Sequence, residues 1–178
     1  MIFKILPVFL VALIFAVGCG HTPTTVKPVS PERRLDRQAA PAEQDSRHSR
    51  ELLAEARKAY ANGKYGQARK SCEEAIGFDH TNWEAHYYLG LVYQQRRQYC
   101  EAVAILKAGL EHCPDDNLIR SEMHYNIGLG WEKTGRLDKA QGQYRAALDY
   151  NQEHRSARQG LNRIKVEKTL KNWGKDKD

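Results

Sequence analysis

The sequence contains 4 cysteines but no CxxC or CxxCH spacing, so neither a thioredoxin-like redox site nor a haem attachment is indicated. It has no nucleophile elbow and no phosphate loop, and nothing in it points to an enzyme. Its 7 histidines are scattered through the chain. His112, Cys113, Asp115 and Asp116 are close in sequence, but a helix end does not gather them as a tetrahedral set. No metal or cofactor is therefore expected. Proline is scarce past Pro41, where only Pro114 remains. Long apolar runs are scarce too. Ile5 to Val17 is the one that stands out, and it is too short to span a bilayer comfortably.

What is present divides the chain into unlike materials. Residues 1–18 carry one early charge, Lys4, and then the apolar run, which reads as an export signal. The signal closes with Ala16-Val17-Gly18-Cys19, which resembles the bacterial lipoprotein signal. That resemblance implies a lipidated Cys19 as the new N-terminus. The alternative is an ordinary cleaved signal, or an uncleaved anchor that happens to carry a cysteine. Gly20 rather than aspartate follows Cys19, and by analogy with enterobacterial sorting this favours the outer membrane, facing the periplasm. From residue 19 to 47 the chain holds Pro23, Pro28, Pro31 and Pro41 and almost no large apolar side chain. Such a segment cannot offset its own ordering entropy and reads as a disordered tether. It would reach roughly 30 Å root-mean-square. Asp45 or Ser46 is placed to cap the helix that follows.

Between Trp83 and Pro114 the pattern changes. Leu89 and Tyr93 are four apart and share one face of a helix. Ala102, Leu106, Gly109 and Leu110 form a stripe on a second helix. Arg96-Arg97-Gln98 is a short polar turn between them, which makes the two helices antiparallel neighbours. Gly90, Ala102 and Gly109 lack bulk, so the backbones can approach closely, and Pro114 ends the hairpin. Trp83, Leu89, Gly90, Tyr93, Tyr99, Ala102 and Pro114 together resemble a tetratricopeptide repeat (TPR), at positions 1, 7, 8, 11, 17, 20 and 32 of its period of about 34 residues. The pattern recurs over residues 49–82, with Ala56, Gly63, Tyr65, Ala68 and Ala75, and over residues 121–154, with Ile127, Gly128, Trp131, Gly135, Leu137, Ala140 and Ala147. Glu55 and Ala59 depart from it, as suits a terminal repeat with a more polar face. A register slip of four residues, Asn117 to Arg120, calls for an extra helical turn or a longer loop, and Pro114-Asp115-Asp116-Asn117 is a turn and cap signal.

The resemblance implies an all-α fold: an α-solenoid of three antiparallel helix-turn-helix repeats (49–82, 83–116 and 121–154) within a domain spanning 48–171. Ala157, Leu161 and Ile164, with the stem of Lys168, suggest one more helix over 155–171 that closes the stack. Residues 172–178 are expected as a frayed basic tail. Most of the chain's net charge of +6 lies after His154. This is either a solvated helix face or a contact for an anionic surface such as lipid headgroups or an acidic partner. Nucleic acid is a poor partner for an exported chain. Cys100 and Cys113 lie about 20 Å apart along one helix and should not pair, because a disulfide needs α-carbons within about 7 Å. Cys72 reads as a small apolar filler.

In this family, positions 2, 5, 9, 12 and 13 line a concave groove that binds other proteins. Carried onto this chain they are Arg50, Leu53, Arg57 and Tyr60; then Glu84, Tyr87, Leu91, Gln94 and Gln95; then Glu122, Tyr125, Leu129, Glu132 and Lys133. The paired tyrosines and leucines look like a peptide-binding stripe, the alternative being that they pad between neighbouring helices. The family's basic clamp for chaperone tails is absent, since position 5 holds Leu53, Tyr87 and Tyr125 and not lysine. The expected function is a membrane-tethered adaptor for a protein or peptide partner, serving envelope, pilus or secretion-apparatus assembly. The rival is a structural homo-oligomer using the groove or the basic tail.

Overall fold

The computed structural model describes residues 42–175. They form seven helices and no strand: α1 (Ala42–Ala61), α2 (Tyr65–Phe78), α3 (Trp83–Gln95), α4 (Tyr99–His112), α5 (Asn117–Lys133), α6 (Leu137–Tyr150) and α7 (Arg155–Lys175). Each odd helix pairs with the next even one as a hairpin, and the three hairpins stack in sequence with α7 closing the end. The expected signal, Cys19 and most of the tether lie outside the described residues.

The hairpin turns share one backbone device. Gly63, Arg97 and Gly135, all at repeat position 15, take left-handed conformations with φ of 70°, 60° and 74°. The next residue in each turn reaches back five positions: Lys64 N–H to Ala59 C=O, Gln98 to Tyr93 and Arg136 to Trp131, each at 2.9 Å. This helix-ending motif satisfies carbonyls that would otherwise be orphaned. Glycine adopts such a φ without steric cost; arginine does not.

The size pattern of the crossings follows the sequence. Ala56, Ala68, Ala75, Ala102, Ala140 and Ala147 have no exposed surface, and Gly90, Gly109 and Gly128 are buried with them. A Cβ built on Gly90 would stand 2.7 Å from Leu106 Cδ2, and one on Gly128 would stand 2.8 Å from the Tyr144 ring. Larger side chains fill between the crossings. One cluster holds Leu53, Cys72, Ile76, Leu89 and Tyr93; the next holds Val103, Leu106, Met123 and Ile127; a third holds Leu137, Tyr144 and Ile164. Glu55, at the position that Leu89 and Ile127 fill with buried bulk, is exposed. The first and third hairpins are also tied by equivalent bonds, Ser49 Oγ to Ala75 C=O at 2.9 Å and Ser121 Oγ to Ala147 C=O at 2.7 Å.

The four-residue slip is an extra helical turn. Asp116 caps it, accepting from the N–H groups of Leu118 and Ile119 at 2.8 and 3.0 Å. Two boundaries differ from expectation. Residues 42–47, placed in the tether, are helical, so Asp45 and Ser46 lie inside α1 and cap nothing. Glu43 and Asp45 in the first turn suit the positive end of the helix dipole, and Arg47 pairs with Glu51 one turn on. At the other end, α7 runs to Lys175 through the expected frayed segment, supported by the Lys171–Glu167 pair at 2.7 Å.

Cys72 and Cys113 are free thiols, so Cys113 is not joined to Cys100, as their separation required. Burial, with Glu73 nearby, pushes the Cys72 thiol up to about 12, consistent with an inert filler. Among the described residues no three of His, Cys, Asp and Glu are gathered as ligands for a metal ion. His86 and His124 go separate ways. His86 Nε2 bonds the His80 carbonyl, while His124 Nδ1 meets Gln143 and its ring stacks on Tyr150.

Candidate functional site

The first helices of the hairpins, α1, α3 and α5, lie side by side and are stitched in a row with α7. Arg57 on α1 meets Glu84 on α3 at 3.5 Å, and Gln95 donates to the Tyr60 hydroxyl at 3.4 Å. Gln94 on α3 donates to the Asn126 carbonyl on α5 at 2.8 Å. Arg163 on α7 grips both oxygens of Glu132 at 2.8 and 2.9 Å, and His154 meets Glu122 at 3.1 Å. Many of the side chains expected to face a partner therefore bond to one another.

The structure sorts the expected residues. Arg50, Arg57, Gln95, Glu122 and Lys133 are exposed; Tyr60, Glu84, Tyr87, Leu91, Gln94, Tyr125, Leu129 and Glu132 are half-buried. Leu53 is 7% exposed and belongs to the first core cluster with Ala85 and Leu89 of α3, and it also lines an open hollow with Arg50, Arg57 and Glu84. Tyr125 is also turned inward: its ring lies 5.9 Å from Tyr144 and 4.9 Å from His154, sandwiched by α6 and the start of α7. Glu132 is engaged by Arg163 and by the Tyr144 hydroxyl. Burial alone would raise the Glu132 carboxyl, but those two donors outweigh it and hold it below its ordinary range.

An open pocket lies between α1, α3 and α5. Its volume is about 260 Å³, and Arg57, Trp83, Glu84, Tyr87, Tyr88, Ile119, Glu122 and Met123 line it. Four of these, Trp83, Tyr88, Ile119 and Met123, are outside the positions carried over from the repeat pattern. Ile119 comes from the four-residue extension, which was the available signal. Tyr88 is held edge-on by Tyr60 and Tyr87, with the Arg57 guanidinium 5.6 Å above its ring. Burial, and next the nearby Glu122, push the Tyr87 hydroxyl above the usual tyrosine range, so it remains a neutral donor. The site is apolar at its centre and charged at its rim. Such a lining can hold a side chain.

This arrangement has the fold of a tetratricopeptide-repeat solenoid. The family profile described as tetratricopeptide repeat matches residues 59–121. Solved TPR domains share the fold. The first TPR of Spaghetti (RPAP3), bound to an HSP90 peptide, is 15% identical, with a TM-score of 0.65 over 70% of this chain and 95% of that one. The Arabidopsis OM64 TPR domain is 16% identical, with a TM-score of 0.63 over 67% and 96%. The Yersinia enterocolitica type III secretion chaperone SycD, in complex with a peptide of the translocator YopD, is 21% identical, with a TM-score of 0.61 over 67% and 93%. No curated protein matches the chain. Leu53 and Tyr125 each belong to or pack against a core cluster, whereas Trp83, Tyr87 and Tyr88 line the open pocket.

Proposed function

We propose that the chain is an adaptor that holds a segment of a partner protein along the face made by α1, α3 and α5. One observation carries this: the pocket of about 260 Å³ among Trp83, Tyr87, Tyr88, Ile119 and Met123. It suits one apolar side chain of an extended peptide, while Arg57, Glu84 and Glu122 at the rim suit polar groups beside it. Peptides held by the related RPAP3 and SycD folds support the same use of the fold. A binding module accounts for these features; a catalyst does not. We further read the chain as lipid-anchored through Cys19 in the bacterial envelope, on the periplasmic side of the outer membrane, serving envelope, pilus or secretion-apparatus assembly. The signal-like residues 1–18 support that reading. A single acyl chain gives only marginal residence, so the anchor needs the multiple acylation of a lipoprotein cysteine.

The test is affinity capture from envelope extracts of the native cell, with Ile119→Arg as the control that fills the pocket. A partner retained by the parent and lost by Ile119→Arg supports the proposal; equal retention overturns it. Self-association is the second reading, favoured by Val166 and Leu170, which are 58% and 59% exposed on one face of α7. Light scattering across a concentration series separates the two, since the adaptor reading expects a monomer throughout.

A further inference from the structure

Trp131 is half-buried and packs against two core clusters, the one that holds Leu137 and Tyr144 and the one that holds Val103 and Leu106. Three cations from three separate places converge on its ring. Lys107 Nζ of α4 lies 5.6 Å from the ring centroid, Arg136 Cζ of the α5–α6 turn 5.0 Å, and Lys139 Nζ of α6 4.9 Å. None of the three forms an ion pair with a carboxylate among the described residues. The acids nearest in sequence are occupied: Asp138 by Lys168 at 2.6 Å and Glu132 by Arg163 at 2.8 Å. Glu111, one turn on from Lys107, is exposed and makes no ion pair with it.

An indole face attracts each cation, yet the three repel one another, and nothing among the described residues neutralises them. The ring is a fixed platform because the cores grip it, so only the tips of long side chains must order when a ligand arrives. Two ammonium point charges and one planar guanidinium fork suit oxygens on a compact, multiply charged centre. A single carboxylate would balance only one of the three charges. We infer that Trp131, Lys107, Arg136 and Lys139 form a binding site for a phosphate-class oxyanion carrying two or more negative charges, or presented as several phosphates together. The site shares no residue with the pocket on the α1–α3–α5 face, so its variants leave that pocket's lining unchanged. The phosphate has two possible sources, a free polyphosphate or the headgroups of an anionic lipid surface.

The experiment uses the full chain at fixed ionic strength. Calorimetric titration with sodium pyrophosphate probes the free source. Co-sedimentation with phosphatidylglycerol vesicles, against phosphatidylcholine vesicles, probes the headgroup source. The test variant is Lys107→Glu with Lys139→Glu; the charge-matched control is Lys58→Glu with Lys64→Glu, both exposed and remote from Trp131 in the sequence. The expected result is binding of at least one probe, weakened tenfold or more in the test variant and less than twofold in the control. Pyrophosphate alone assigns the site to free phosphate, and phosphatidylglycerol alone to a lipid surface. Binding of neither probe by the parent, or equal loss in both variants, overturns the inference. If the charge reversal unfolds by circular dichroism, Lys107→Gln with Lys139→Gln takes its place, against Lys58→Gln with Lys64→Gln, under the same criteria.

Discussion

Gly160 on α7 presses its bare backbone against the ring of Tyr144 on α6. A methyl group built on the glycine would stand 2.6 Å from Tyr144 Cζ, closer than real carbon contacts allow. The ring cannot swing away, because it is fully buried and its hydroxyl is bonded to Glu132. The closing helix is therefore seated by an absence of bulk. Gly160→Ala should destabilise by about 1–3 kcal/mol despite alanine's better helix propensity. Gly142, also helical but with nothing within 4 Å of its missing Cβ, gives the opposite sign: Gly142→Ala should stabilise by about 0.5–1 kcal/mol. Urea melts of both variants check the pair.

Arg97 supplies a left-handed turn residue where the other two hairpins use glycine. Arg97→Gly removes a steric cost of about 1–2 kcal/mol and adds some unfolded-state entropy. The expected net gain is about 0.5–1 kcal/mol. A variant that melts below the parent would show that Arg97 makes a compensating contact.

How much of this was legible beforehand differs between the stack and the site. Ala68, Ala102 and Ala140 could be placed from spacing alone, because a helix crossing excludes bulk wherever it occurs. Position 15 was recognised at Gly63 and Gly135 but not at Arg97, where the turn geometry overrides residue type. The groove was harder. Repeat position states which way a side chain starts, not what its neighbours do with it. Leu53 shares a core cluster with Ala85 and Leu89 of α3, and Tyr125 lies against His154 and Tyr144; neither arrangement is implied by the local pattern. Ile119 entered the pocket through an insertion that the repeat template does not contain.

Acid should loosen the junction of α5 and α7. The folded Glu132 carboxyl titrates below its ordinary value of 4.5, against the opposing effect of burial, because Arg163 and Tyr144 donate to its charged form. A depressed folded value means the contribution is complete above the unfolded value and disappears as pH falls through the folded one. Glu132→Gln should therefore melt lower than the parent at pH 7, and the two Tm values should converge in acid. A difference independent of pH would assign Glu132 a purely steric role.

Cys19→Ser tests the anchor separately from the fold. The lipoprotein reading expects the parent to incorporate labelled palmitate and the variant to incorporate none. Labelling that persists in the variant would move acylation elsewhere or remove it from the account.

The most direct test of the binding face places a photo-crosslinking amino acid at Glu122, on the pocket rim, and in a second variant at Lys70, on the outer helix α2. Illumination in the native cell should join the Glu122 variant to one distinct partner protein and leave the Lys70 variant unjoined. Crosslinks from Glu122 only to another copy of the chain, or the same products from both positions, would contradict an adaptor that holds its partner between α1, α3 and α5.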